Sequence, residues 1–496
     1  MQKVLSLLSA LLLCPITALS QNDGDDVVIG KYHVINSKIL GEDRRILVHL
    51  PLGYEETNLQ YPVVFHLYGD FITTYFADAV SVIERLHDAS KMPQVILIGV
   101  DNTDRYRDLR PVKADGSPGG ADNFVQYFKD ELIPYIKDHY RTTDYNILIG
   151  PQAGACFGLY ALTEHTDLFD AFLLENSFDN PPQVDKYLLS GIRSFFHPDK
   201  SVSKFLFMKL KKESSNLEVA LEQKATIEAN IPRDFIFEFK LNESEDDLIP
   251  NNDIKYGLNK LFSEYELPDD IIGLENIKKY YQGLSEKAGF TVNVSDRILT
   301  TAGDKLKRTG NMEETRRIFE YILELYPRSL DGLFQVAELN LSSGRYEDAK
   351  RYYAEFLKIR PQEAMIQYRL KSVENIINLS AAYEIEQAIL SEGLTSGQKV
   401  FQKLKSDTQT QRYFNENEFI QMGYRFLNLN RFNEAIEIFI MSGELYPESY
   451  NTWDSLGEAY MNCGDTKNAL RNYKKSLDIN PENSNAREML KRLEKQ

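Results

Sequence analysis

The chain has 496 residues, 43% apolar, 11% aromatic and 26% charged, proportions of ordinary globular protein that exclude a largely disordered or collagen-like chain. At about 150 residues per domain this length leads to an expectation of roughly three domains. With 57 Lys+Arg against 74 Asp+Glu the formal net charge is -17, and so acidic a surface repels phosphate backbones, which argues against nucleic acid as a partner.

The N-terminus reads as a secretory signal over residues 1–20. Lys3 supplies the positive charge, an apolar run from Val4 to Leu19 follows, and Ala18 and Ser20 put small residues where a signal peptidase reads. The expected mature chain starts at Gln21 and is secreted, periplasmic or held at the cell surface. A lipoprotein reading at Cys14 is disfavoured because Leu13 before it is large and Pro15 follows. A buried first helix is disfavoured too, since the apolar run leads straight into Gln21–Asp26, which is polar. No later run reaches the roughly eighteen apolar residues of a membrane span, so no transmembrane segment is expected after cleavage. The mature chain keeps Cys156 and Cys463, in what read as separate domains, so no disulfide framework is expected; a bond between them would need the domains to pack Cys-to-Cys.

From 27 to 270 short apolar runs alternate with amphipathic stretches. Val63–Leu67, Val95–Ile98, Ile147–Ile149, Phe172–Leu174 and Phe235–Phe239 read as buried strands. Asn123–His139 reads as a helix, because Phe124, Tyr127, Phe128, Leu132 and Ile136 recur at helical spacing, and Lys255–Tyr265 as a closing helix. Alternating strands and helices predict an α/β domain with a mainly parallel sheet. Residues 271–290 are expected as a linker, in a 268–290 connection whose Pro268, Asp269, Asp270 and Gly273 suit a turn or a hinge.

Beyond it the strand patterns vanish and a 34-residue period takes over. In 450–483, Trp453, Leu456, Gly457, Tyr460, Ala469, Tyr473 and Pro481 match the tetratricopeptide pattern. One period earlier stand Met422, Gly423, Phe426, Ala435, Phe439 and Pro447. An N-terminal pair is marked by Pro327 and Pro361, with Gly303, Leu306 and Phe319 in one unit and Ala349 and Tyr353 in the other. This predicts an all-α solenoid, with repeats 1 and 2 over 296–363 and repeats 3 and 4 over 416–483. Between them 364–415 breaks the register and reads as a helical spacer or a degenerate repeat. Residues 484–496 read as a polar-faced capping helix.

Chemistry is expected in the α/β half, where several runs together resemble one family. L-Y-G-D at 67–70, D-N-T-D-R-Y-R-D-L-R-P at 101–111, G-G-A-D-N-F at 119–124, E-L-I-P-Y-I at 131–136 and Y-R-T-T-D-Y-N-I-L-I-G at 140–150 resemble the putative-esterase family of α/β hydrolases, the esterase D, enterochelin esterase and feruloyl esterase types. The resemblance covers about 27 to 270. It implies a doubly wound α/β hydrolase-like sheet with a serine nucleophile at a tight strand-to-helix turn and a histidine late in the domain.

At both places the sequence departs. Where the family reads G-H-S-x-G-G, this chain reads Gly150-Pro151-Gln152-Ala153-Gly154-Ala155, and a carboxamide at the nucleophile position forms no acyl intermediate. Cys156, four residues on, reads as a packing residue of the following helix rather than a displaced nucleophile. All seven histidines lie at or before His197, itself read as structural. Asp246, or Asp247 beside it, takes the histidine position, and a carboxylate there cannot serve as the general base.

The expected catalytic set is therefore none. No metal site is expected from the histidine and cysteine spacing; Glu245-Asp246-Asp247 reads as a solvated loop before a cation site. No phosphate loop of Walker type occurs, and no cofactor is implied. The reading is an exported, non-catalytic esterase homologue that binds a protein or peptide through its solenoid. Its degenerate pocket, around Gly69, Asp70, Gln152 and Ala153, is expected to take a small ester or carboxylate on the former oxyanion donors. The alternative is an active carboxylic-ester hydrolase with non-standard catalytic residues.

Overall fold

The computed structural model describes residues 28–67, 72–175, 180–212, 217–242, 251–409 and 411–494. The chain divides into two compact units between Ile298 and Leu299.

The first unit is built on eight strands: β1 Lys31–Ser37, β2 Glu42–His49, β3 Tyr61–Leu67, β4 Ile96–Val100, β5 Thr142–Pro151, β6 Ala171–Glu175, β7 Phe205–Lys211 and β8 Ile236–Asn242. They lie in the order β1-β2-β4-β3-β5-β6-β7-β8. All pairings from β4 to β8 are parallel, while β1–β2 and β2–β4 are antiparallel. This mixed sheet is the α/β hydrolase-like architecture. The five expected strands are present; β1, β2 and β7 are additions. β1 reads K-Y-H-V-I-N-S and β2 E-D-R-R-I-L-V-H, so charged and polar residues are grouped rather than alternating with apolar ones, and most of β1 is exposed or half-buried at this antiparallel edge.

The helices of this unit are α1 Ile72–Asp88, the short α2 Arg105–Asp108, α3 Ala121–Tyr127, α4 Ile133–His139, α5 Ala153–Glu164, α6 Pro182–Phe195, α7 Leu217–Ala229, α8 Asn251–Leu261 and α9 Leu274–Ala288. A π-turn over Phe128–Leu132 joins α3 to α4, so the helix expected at 123–139 is one element with a bulge in its middle. Apolar residues fill both faces of the sheet. Phe65, Leu148, Phe172 and Leu206 face Phe124, Phe128 and Phe157; Val64, Ile147, Leu173 and Phe207 face Phe76 and Ile83 of α1 and Ile254 and Leu258 of α8. The segment 271–290, expected as a linker, is helical over α9: Leu274, Ile277 and Tyr281 are buried, so its apolar stripe packs rather than swings free.

The second unit is all helical. Its helices are α10 Asp296–Arg308, which begins three residues before the boundary, α11 Met312–Leu325, α12 Leu330–Ser342, α13 Tyr346–Ile359, α14 Ala364–Leu379, α15 Ala381–Glu392, α16 Leu394–Ser406, α17 Glu416–Asn428, α18 Phe432–Leu445, α19 Tyr450–Asn462, α20 Thr466–Ile479 and α21 Ser484–Leu493. Within the 34-residue units each hairpin turns on a left-handed residue: Gly310, Gly344, Asn430 and Gly464 all have φ between 58° and 84°. Small residues let the paired helices approach, since a Cβ on Gly423 would come within 2.4 Å of the Phe439 ring, and Gly303 meets Phe319 in the same way. Side-chain caps at Asn311, Ser329, Asn415, Asp465 and Asn483 start the helices that follow them.

In the off-register segment, α15 and α16 pack as an antiparallel hairpin, and α15 lies on α17 as α17 lies on α19. α14 packs on α13 just as α21 packs on α20. Arg425 of α17 pairs with the buried Glu386 of α15, which fixes that hairpin to the next repeat.

Candidate functional site

β5 ends at Pro151 and α5 begins at Ala153, so a single residue, Gln152, makes the strand-to-helix turn. Its backbone is held at φ 51° and ψ -119°, a region that costs a non-glycine residue about 1–3 kcal/mol, and its side chain stands exposed. The surroundings enforce the turn. A Cβ on Gly150 would lie 2.5 Å from the carbonyl oxygen of Gly154, so only glycine lets α5 begin so close to the strand end. The Gln152 N–H donates to the Glu175 carbonyl at 2.9 Å, and the Gln152 carbonyl accepts from the Ala155 N–H at 2.9 Å. The chain thus keeps the strained elbow that lifts a nucleophile above the strand ends, and presents a carboxamide on it.

Ala153 opens α5, so its N–H has no acceptor within the helix and lies at the positive end of the helix dipole. Gly69 and Asp70, on the other side of the expected pocket, lie outside the described residues, as do Asp246, Asp247 and the whole run 243–250. Cys156 is fully buried on α5, and burial pushes its thiol up to about 12, so it is no thiolate at neutral pH. Neither Cys156 nor Cys463 is in a disulfide.

The histidines sit elsewhere. His33 bonds the hydroxyls of Tyr135 and Tyr140, His49 meets Glu84, and His165 meets Tyr160. His66 is buried in β3 beside Ile149, where desolvation lowers its pKa to about 4 and keeps it neutral. His197 is exposed in the turn after α6. Among the described residues no cluster of His, Cys, Asp and Glu suits a metal ion.

The run 101–111 is pinned rather than open. Asp104 caps α2 through the N–H groups of Tyr106 and Arg107. The fully buried Arg44 pairs with Asp108, while Arg107 reaches both Asp108 and Glu42. The hydrogen bond from Arg107 is the main reason that the Glu42 carboxyl is held down at about 2. Asn102, just past β4, is buried, and neither amide atom of its side chain has a hydrogen-bond partner.

One constellation escaped the sequence reading. Glu175 ends β6 in register with Pro151, Lys209 on β7 and, one strand further, Lys240 on β8. Lys209 pairs with the buried Asp253 in the first turn of α8, and Lys240 reaches the same carboxylate at 3.3 Å. Burial raises the Glu175 carboxyl to about 7, only partly opposed by Lys209 and Lys240, and its Oε1 has no hydrogen-bond partner. The signal was present as single charges closing or interrupting apolar strands, in A-F-L-L-E and F-L-F-M-K-L, but nothing in one strand says which charge on another it will meet.

Comparison with known proteins bears on the same regions. Residues 37–182 match the family model described as putative esterase, and residues 330–363 and 450–483 match that of the tetratricopeptide repeat. The crystal structure of an IroE-like serine hydrolase from Shewanella oneidensis is similar with a TM-score of 0.50 and 24% identity, over 58% of this chain and 97% of that one. At that identity the likeness speaks for the fold. An uncharacterised protein from Capnocytophaga ochracea aligns at a TM-score of 0.44 and 17% identity, over 69% of this chain and 99% of that one. The siderophore hydrolase EstB from Aspergillus nidulans aligns at 0.41 and 16%, over 51% and 100%. Among curated proteins, the BBSome complex member BBS4 of Bos taurus is 25% identical over 179 residues, 36% of this chain. The chain spans 30% of the length of that relative.

Proposed function

We propose that this chain, an esterase-family domain followed by tetratricopeptide repeats, is an exported protein that works by binding and not by turnover. The observation that carries the reading is Gln152 at the apex of an otherwise intact elbow. The elbow serves a nucleophile by lifting it to the substrate, and a primary carboxamide has neither an ionisable proton nor a lone pair basic enough to attack an ester. Cys156, the nearest thiol in sequence, is buried and protonated. The seven histidines end at His197, before the loop in which a hydrolase of this order places its base.

What the elbow keeps is a binding surface. The Ala153 N–H and the exposed Gln152 amide offer hydrogen bonds to a small ester or carboxylate. The repeats supply the larger surface, and their helix pairs suit a protein or peptide partner. The test is hydrolysis of p-nitrophenyl and feruloyl esters by the purified mature chain. The expected rate equals that of the Gln152→Ala variant. A saturable rate that disappears in Gln152→Ala or Glu175→Gln would instead support the hydrolase reading, with the near-neutral Glu175 carboxyl as its base.

A further inference from the structure

Repeats 2 and 4, units 330–363 and 450–483, correspond residue for residue, and each is followed by one more packed helix, α14 and α21. In that register Glu338, Tyr353 and Arg369 answer to Glu458, Tyr473 and Met489. In repeat 2 the three side chains close on one another. The Tyr353 hydroxyl donates to Glu338, and Arg369 of α14 pairs with the same carboxylate at 3.3 Å.

Repeat 4 keeps two of the three. Glu458 accepts from Tyr424 of the preceding repeat at 2.8 Å, and α21 offers Met489 where α14 offers an arginine. The Tyr473 hydroxyl is buried without a hydrogen-bond partner, although it feels the charges of both Glu458 and Asp454. Asp454 stands where repeat 2 has Phe334, one helical turn before Glu458. It is held by the neutral amides of Asn483 and Asn485 at 3.0 and 2.8 Å, and burial pushes its pKa up. Among the described residues neither carboxylate meets a cation. Like charges at i and i+4 destabilise a helix, and a buried hydroxyl without a partner adds to that cost. Both features meet at one place.

The geometry points to the Asp454–Glu458 face of α19 as the seat for an arginine side chain of a partner peptide, in the position that Arg369 fills from within the chain in repeat 2. A guanidinium suits it better than an ammonium, because its planar fork can serve two carboxylates at once. Tyr473 is then free to close on Glu458 as Tyr353 closes on Glu338. This inference rests on the proposed binding role of the repeats and gives that role a partner chemistry.

Trp453, the single tryptophan of the chain, directly precedes Asp454 on α19, where it packs on Gly443 and Lys475, and serves as the fluorescent probe. The mature protein would be titrated with an alanine pentapeptide carrying a central arginine, and with the same peptide carrying citrulline. The arginine peptide is expected to shift the tryptophan fluorescence saturably, with the citrulline peptide and the Glu458→Gln variant each weaker by about tenfold, the loss of one charge-assisted hydrogen bond. Met489→Arg should fill the seat from within, abolish the response and raise the melting temperature. Equal affinity for the citrulline peptide, or arginine binding unchanged by Met489→Arg, would overturn the arginine seat while peptide binding by the repeats stands. No response to either peptide, with no stabilisation by Met489→Arg, would overturn the seat on both counts. Failure of the non-catalytic reading shows separately, as ester turnover.

Discussion

Gln152 is held where few residues rest comfortably, and this makes it testable by stability as well as by chemistry. Gln152→Gly should relieve the backbone strain and stabilise the first unit by about 1 kcal/mol, read as a higher melting temperature; a lower one would mean that the carboxamide earns its place through contacts. Gln152→Ser alone should give no esterase, because the hydroxyl would lack its base, whereas Gln152→Ser with Asp246→His should give a weak one if the acid and the oxyanion donors remain. Strong activity from the single change would reveal an unrecognised base. The departure at 152 was legible in the sequence because the flanking Gly150 and Gly154 mark the turn whatever stands between them. Glu175 was not legible as a site, since its environment is made by β7, β8 and α8 together. Its carboxyl is raised, so the stability of its neutral form is fully present below the ordinary glutamate range and is lost as pH rises through about 7. Melting curves should therefore fall between about pH 5 and pH 8 in the native chain and flatten over that window in Glu175→Gln. Identical slopes in the two proteins would contradict the buried acid.

At the scale of elements, the strands that read most clearly are those buried on both faces, such as β3 and β5, where apolar runs are nearly continuous. β1 and β2 were missed because their pattern is half polar, and because Arg44, a fully buried side chain in β2, counts as surface in any reading of sequence until Asp108 is known to meet it. β8 is tied to the closing helix through charge: Lys240 and Lys209 share Asp253 at the start of α8. Asp253→Ala leaves the buried Lys209 without that carboxylate and should destabilise the first unit by about 3 kcal/mol in a denaturant titration. A change below about 0.5 kcal/mol would show that α8 is held by its apolar face alone. In the repeats the small-to-aromatic contact does the comparable work. Gly423→Ala drives a Cβ into the Phe439 ring and should cost about 1–3 kcal/mol.

For the molecule as a whole, the 34-residue period revealed the helical half because each unit restates the same packing rule, with Gly310, Gly344, Asn430 and Gly464 at the turns. The segment 364–415 resisted that reading, since its hairpin α15–α16 follows the packing without the register. A fragment of residues 285–496 is expected to fold alone with a cooperative helical melt, because every repeat buries its face on a neighbour. The proposed binding role turns on Gln152 standing in place of a nucleophile, and an electrophile that labels nucleophiles tests this most directly. The purified protein would be incubated with a fluorophosphonate ester and examined by intact-mass and peptide mass spectrometry. The account predicts no stoichiometric adduct at any residue of the first unit; a single adduct there, formed in proportion to protein and blocked by an ester substrate, would contradict it.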